Sequence, residues 1–232
     1  MFNGRGITLI GLLTLGTSPR EDLENVISPI ISRDYLLLRG ALDNLSKDEI
    51  VALCDIPGSY PLFVRTVYGS FTIQREALLP LLTNKAREMS GMGVKAIILL
   101  CSGDFEPFPT EIPLMIPARL VEGGAKSIAK KGDIGIIVPV ADQVPAAKAR
   151  WRKAGFNPIM MDVNPTTADA EEIVNSFEPH FLEQIVLDCI GYSPELQKEL
   201  SQRFGLPVWL PLTLAARIVT DLYPEIRTDL DA

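Results

Sequence analysis

Short, nearly unbroken apolar runs recur along the chain, at residues 6–15, 35–38, 62–67, 96–100, 114–116, 134–138, 158–161, 185–187 and 208–210. Runs of this length without polar alternation mark strands buried on both faces, as in a parallel sheet. Between most of them the apolar positions switch to helical spacing, at residues 73–90, 118–130, 143–154, 168–177, 194–204 and 212–222. The first of these helices carries Pro80 and stops near Gly91 and Gly93. Ser18-Pro19-Arg20-Glu21 opens an earlier helix, and Ser46-Lys47-Asp48-Glu49 is a capping box with Leu45 and Ile50 in staple positions. Strands alternating with helices predict an α/β fold with parallel sheets. The polar stretch after Tyr223 predicts a frayed end.

The chain also echoes itself. Ala96-Ile97-Ile98-Leu99-Leu100-Cys101-Ser102-Gly103 resembles Gln184-Ile185-Val186-Leu187-Asp188-Cys189-Ile190-Gly191, each an apolar strand ending in Cys-x-Gly. Downstream, Ile112-Pro113-Leu114-Met115-Ile116-Pro117 resembles Leu206-Pro207-Val208-Trp209-Leu210-Pro211. Cys189 follows Cys101 by 88 positions and Leu206 follows Ile112 by 94. Two offsets this close predict two structurally related halves. Pro117 and Pro211 would each open a helix, where the missing N–H costs nothing.

Composition narrows the possible chemistry. A chain of 232 residues makes one large domain or two small ones. With 47% hydrophobic and 22% charged residues it has an ordinary globular balance. The net charge of −7 argues against a nucleic-acid groove or a basic membrane surface, and no apolar run approaches the ~20 residues of a membrane span. His180 is the sole histidine, which disfavours a His-rich metal site or a His-based triad and leaves it a role at a helix end on the surface. Residues 1–18 imitate a signal peptide with Arg5 and an apolar run, but no clean cleavage site follows and a helix opens instead, so they are read as a first buried strand. Cys54, Cys101 and Cys189 are too few and too scattered for a disulfide framework or a zinc ribbon; reduced thiols in the cytoplasm are expected. No Gly-x-Gly-x-x-Gly follows the first strand, and no phosphate loop is present.

Ligands of open α/β sheets bind beyond the carboxyl ends of the strands, where Cys101 and Cys189 fall. If the halves face each other about a pseudo-two-fold axis, two thiols converge on one cleft. Two such groups on opposite sides of a carbon acid suit two-base proton transfer, which is racemisation or epimerisation without a cofactor. The helix start at Ser193-Pro194 favours a Cys189 thiolate, whereas Asp188, unless it points elsewhere, and Asp104 and Glu106 near Cys101 work against thiolates. Cys54 sits on a helix end and has no counterpart in the echo. Thr17 and Ser18 at the end of the first strand, Arg20 in a first helical turn, Arg65 in an apparently buried strand, Arg119 at another helix start, and Ser102, Gly103, Ile190 and Gly191 beside the two cysteines are the candidate substrate-binding residues. The arginines suggest a small anionic, carboxylate-bearing ligand. Tyr68 and Tyr192 read as packing residues, and Arg217 as a surface residue. A lyase using Cys189 alone and a non-catalytic small-molecule-binding protein are the competing readings.

Several segments together resemble the AroM family: Leu15-Gly16-Thr17-Ser18-Pro19-Arg20, Ile136-Ile137-Val138-Pro139-Val140, Leu187-Asp188-Cys189-Ile190-Gly191-Tyr192, and Leu206-Pro207-Val208 followed by an apolar helix with Arg217. AroM-like proteins look like members of the aspartate/glutamate racemase superfamily, which includes hydantoin racemases, maleate isomerases and arylmalonate decarboxylases. The resemblance implies two similar α/β domains, each a parallel sheet flanked by helices, related by a pseudo-two-fold axis with the active site between them. It implies a first domain of residues 1–112 plus 208–232 and a second of residues 113–207, catalytic roles for Cys101 and Cys189, no metal or other cofactor, and a homodimer. The chain departs from the amino-acid racemases, which show Cys-Asn-Thr and Gly-Cys-Thr-His where it has Cys101-Ser102-Gly103 and Asp188-Cys189-Ile190-Gly191. That departure points away from free glutamate or aspartate and toward another small carboxylate or a hydantoin.

Overall fold

The first apolar run folds as β1 (Leu9–Thr14), whose Ile10, Leu12 and Leu13 are wholly inaccessible, so both faces of the strand are covered. The computed structural model describes residues 8–177 and 182–228; His180 lies outside the described residues. After β1 come α1 (Glu21–Ile27), β2 (Leu36–Gly40), α2 (Lys47–Cys54), a hairpin of β3 (Pro61–Thr66) and β4 (Gly69–Gln74), α3 (Arg75–Gly91), β5 (Val94–Leu100) and β6 (Leu114–Met115). The predicted capping box forms: Ser46 Oγ accepts from the Glu49 N–H while Glu49 Oε2 accepts from the Ser46 N–H at 2.8 Å. The sheet is parallel with order β2-β1-β5-β6.

Then follow α4 (Pro117–Ile128), β7 (Asp133–Val138), α5 (Val144–Lys153), β8 (Asn157–Asp162), α6 (Ala170–Ser176), β9 (Gln184–Leu187), α7 (Pro194–Phe204), β10 (Val208–Trp209) and α8 (Pro211–Leu222). The second sheet is also parallel, with order β10-β9-β7-β8. Read from the other edge this is β8-β7-β9-β10, the same winding as the first sheet. The repeat holds to single hydrogen bonds. Ile97 N–H donates to Pro113 O and Ile185 N–H to Pro207 O, both at 2.9 Å. Cys101 N–H donates to Leu99 O at 2.9 Å and Cys189 N–H to Leu187 O at 2.8 Å. Pro117 and Pro211 open their helices as expected.

The described residues form two compact units. One comprises those of Met1–Cys101, Glu106–Ile116 and Ala216–Ala232; the other Ser102–Phe105 and Pro117–Ala215. The boundaries of these units differ from the division expected at 112/113 and 207/208. Residues 114–115 pair with β5 and residues 208–209 with β9, because each short edge strand pairs with the sheet strand just before it in sequence. The second boundary falls inside α8.

Three further expectations change. Residues 62–67 are not a buried parallel strand: β3 pairs antiparallel with β4, burying Leu62 and Val64 while Phe63 and Arg65 face outward, in the alternation of a half-buried sheet. The helix predicted from residue 73 starts at Arg75, because Ile73 belongs to β4, and it continues through Pro80 to Gly91. Of the segment expected to fray after Tyr223, residues 224–228 are docked: Ile226 is fully buried, and Thr228 N–H donates to Ile30 O at 3.1 Å. Among the described residues no helix is long and apolar enough to cross a membrane.

In the second unit the strand alternation builds two cores. Val121, Ala125, Ile136, Trp151 and Val186 pack on one face, and Ile137, Ile173, Ile185, Leu187, Tyr192 and Leu196 on the other. Glu183, just before β9, ties the turn that precedes β7 to the sheet: its carboxylate accepts from the N–H groups of Lys130 at 2.7 Å, Lys131 at 2.5 Å and Gly132 at 3.4 Å. These bonds, that of Lys130 foremost, hold its carboxyl below the ordinary value near 4.5. Folding thus favours the ionised form. The stability it adds is complete above that ordinary value and is lost as pH falls through the lower folded-state value. The denaturation midpoints of wild type and Glu183→Gln should differ most at neutral pH and converge in acid. A gap that stays constant from pH 7 to pH 3 would contradict this role.

Candidate functional site

Cys101 follows the last residue of β5, and Cys189 lies two residues beyond β9. Both central strands thus deliver a half-buried cysteine at their carboxyl ends, and none of the three cysteines is in a disulfide. Cys54, also half-buried, is instead the last residue of α2, its thiol donating to Ile50 O at 3.6 Å.

The β9 alternation continues past the strand. Ile185 and Leu187 face the Tyr192 core and Val186 faces the Trp151 core, so Asp188 turns toward Trp151 while Cys189 packs on the Tyr192 side. Asp188 Oδ2 accepts from Arg150 Nη2 at 2.5 Å and from Trp151 Nε1 at 3.2 Å, with 4% of the side chain exposed. Asp188 does point elsewhere, and its charge is matched by a guanidinium. The Cys189 sulfur accepts from the Gly191 N–H at 3.4 Å, a backbone donor suited to a thiolate. Downstream, the Ser193 hydroxyl accepts from the Leu196 N–H at 3.1 Å and caps α7, so the positive end of an 11-residue helix dipole follows the Cys189 loop. Tyr192 is wholly buried and its hydroxyl donates to Val163 O at 2.7 Å. Burial first, then the negative charge of Cys189, Asp188 and Asp162, pushes its hydroxyl pKa well above the usual range, so Tyr192 stays neutral.

Ser102 is 7% exposed; its carbonyl accepts from Arg150 Nη1 at 3.0 Å, while its Oγ is buried without a hydrogen-bond partner. Gly103 follows it in the same short segment, and Ile190 and exposed Gly191 flank Cys189. Arg119 is exposed on the first turn of α4, and Arg217 is exposed on α8.

The residues after β1 are engaged within their own unit. Thr17 N–H donates to Arg65 O at 3.3 Å, and Thr17 Oγ1 accepts from the Val67 N–H at 2.8 Å. Ser18 gives both its N–H and its hydroxyl to Asp43, at 2.6 and 3.0 Å. Ser18 also lines a polar cavity of about 380 Å³ with Arg39, Asp43, Asn44, Lys85 and Glu88, which neither cysteine lines. Arg20 grips Asp22 through Nε and Nη2, both at 2.8 Å, and Arg65 reaches the same carboxylate at 3.0 Å. The bond from Arg20 is the main reason that the Asp22 carboxyl is held below its ordinary value. Arg65 is not buried, as its strand had suggested: 56% of its side chain is exposed. Exposed Tyr68 lies in the hairpin turn.

Sequence reasoning missed Arg150 and Trp151 as partners of the Cys189 loop, and Asp22 and Asp43 as partners of the candidate anion-binding residues. The β9 alternation was the available signal for Asp188; nothing local marks Arg150, which lies 38 positions away. Among the described residues no cluster of three His, Cys, Asp or Glu could hold a metal ion.

The chain resembles solved structures over nearly its whole length. The maleate isomerase Iso from Pseudomonas putida S16 superposes with a TM-score of 0.62 at 11% identity, covering 94% of each chain. The allantoin racemase from Klebsiella pneumoniae gives 0.60 at 13% identity, covering 94% of this chain and 89% of that one. An arylmalonate decarboxylase gives 0.58 at 15% identity, covering 89% and 88%. The chain therefore shares its fold with these three enzymes. No curated protein matches the sequence. The family model described as "AroM protein" matches residues 10–223. With that match spanning almost all of the chain, the protein belongs to the AroM family.

Proposed function

We propose that the protein is a cofactor-independent isomerase, a racemase or epimerase, of a small carboxylate or hydantoin-like carbon acid, with Cys101 and Cys189 as its two acid–base groups. The repeated backbone geometry carries this reading: two equivalent central strands each end in a half-buried thiol with the same N–H to carbonyl bond. In each turnover one thiolate takes the proton from the carbon acid, and the C–H electron pair delocalises into the adjacent carbonyl or carboxylate. The other thiol gives its proton to the opposite face, forming the new C–H bond and leaving a thiolate. The two sulfurs exchange protonation states, and the reverse reaction restores them. This reading requires both sulfurs to reach opposite faces of one carbon. The engaged arginines Arg20 and Arg65, which together outnumber the charge of Asp22, and the exposed Arg119 are proposed to attract the anionic substrate.

A lyase in which Cys189 alone protonates an enediolate is the second reading. The Gly191 N–H at the Cys189 sulfur favours it, because that donor supports one thiolate without the help of the other cysteine. Solvent-deuterium wash-in tests both readings. The protein in D2O is offered single enantiomers of small carboxylates and 5-substituted hydantoins, and deuterium at the acidic carbon with loss of optical purity is expected. Release of carbon dioxide from a malonate, without exchange into any chiral carbon acid, would replace the isomerase reading by the lyase.

A further inference from the structure

Arg150 makes contacts that the packing of α5 does not require. Through Nη1 it holds the carbonyl of Ser102, the residue after Cys101; through Nη2 it holds the carboxylate of Asp188, the residue before Cys189. Its side chain is 12% exposed and that of Asp188 4%. The Trp151 N–H donates to the same carboxylate oxygen, and the Arg150 guanidinium lies 5.5 Å from the Trp151 ring centroid. A charge so withdrawn from water is tolerated only when it is paired and hydrogen-bonded. Two adjacent residues of one helix are thus committed to the residues next to both cysteines.

We infer that Arg150 is a positioning residue for the two cysteines: it cancels the Asp188 charge beside Cys189 and fixes the Ser102 carbonyl beside Cys101. The inference rests on the proposed thiol chemistry for its purpose, but its physical content is separate. The other titratable groups about the Cys189 loop are Tyr192, kept neutral by burial, Asp162 at the end of β8 and Glu195 in the first turn of α7. The carboxylates Asp162, Glu195 and Asp188 disfavour a further negative charge nearby, and the Arg150 guanidinium offsets Asp188, the most buried of the three.

The test is alkylation of the full-length protein as a function of pH, with each cysteine read separately by mass spectrometry, in Arg150→Gln, Asp188→Asn and the double variant. Loss of the cation should raise the Cys189 midpoint by about one pH unit, a tenfold drop in thiolate at neutral pH. Asp188→Asn should lower it, and the double variant should return it close to wild type. Arg150→Lys should restore the Cys189 midpoint. If Arg150→Gln does not fold, the comparison of Asp188→Asn with the double variant asks the same question, and the midpoint should rise when the cation is removed. Arg150→Gln and Asp188→Asn shifting the midpoint in the same direction, or neither shifting it, would overturn the inference. A purely structural role would not give opposite signs. Midpoints that behave as expected while neither cysteine supports deuterium wash-in would sink the proposed reaction and leave the charge arrangement standing. Wash-in that needs both cysteines while the midpoints stay fixed would do the reverse.

Discussion

Alanine at either Cys101 or Cys189 is expected to lower deuterium wash-in and racemisation by about 10²- to 10⁴-fold, the usual contribution of a positioned acid–base group. The two losses should be of similar size, because a two-base reaction stops when either face is left unserved. Each substitution should leave the fold intact. Both cysteines are only half-buried at strand ends, and removing one sulfur there creates no large cavity. Denaturant midpoints measured alongside the rates separate a lost proton carrier from a lost structure. A Cys101→Ala protein that keeps most of its turnover while Cys189→Ala is inert would move the chemistry to one thiol.

The second large effect concerns stability. A β-carbon built on Gly16 would lie 1.7 Å from the Arg65 carbonyl oxygen and 2.8 Å from its carbon, both backbone atoms that cannot step aside. The loop after β1 and the hairpin strand β3 can touch only if residue 16 has no side chain, and the Thr17 N–H bond to that same carbonyl depends on the contact. Gly16→Ala should therefore cost about 4 kcal/mol or more, in the range of overpacked cores with a broken hydrogen bond. Gly123, in the interior of α4, has open space around it. Gly123→Ala should instead stabilise by about 0.5–1 kcal/mol, because alanine is the better helix former. Urea denaturation of the two variants checks both signs. Equal effects would mean that the close approach at Gly16 is not fixed in solution.

The features legible in the amino-acid sequence are those written in local pattern. Continuous apolar runs such as residues 96–100 and 134–138 could only be strands covered on both sides, and they are. The two echoes, with offsets of 88 and 94, correspond to a repeat of winding and of hydrogen bonds. What is not legible there depends on which side a residue faces or on a distant partner. Residues 62–67 have the apolar content of a buried strand, but the outward direction of Phe63 and Arg65 appears only once β4 pairs across the turn. Ser18, Arg20 and Arg65 have the chemistry of anion ligands, and Asp22 and Asp43 take up that chemistry in the folded unit. Asp188 reads as hostile to a thiolate because its partner lies 38 residues away, on α5. The edge strands at residues 114–115 and 208–209 are too short for their sequence to say which sheet they join.

The most direct test of the two-thiol account is ligand protection of both cysteines at once. Cys101 and Cys189 are alkylated from pH 6 to pH 10, with and without saturating malonate or a 5-substituted hydantoin, and each site is quantified by mass spectrometry. The account predicts rapid reaction of both near neutral pH and simultaneous protection by the same ligand at the same concentration, with Cys54 unaffected. Two slow thiols, indifferent to every ligand, would contradict it and leave the shared fold without the proposed chemistry.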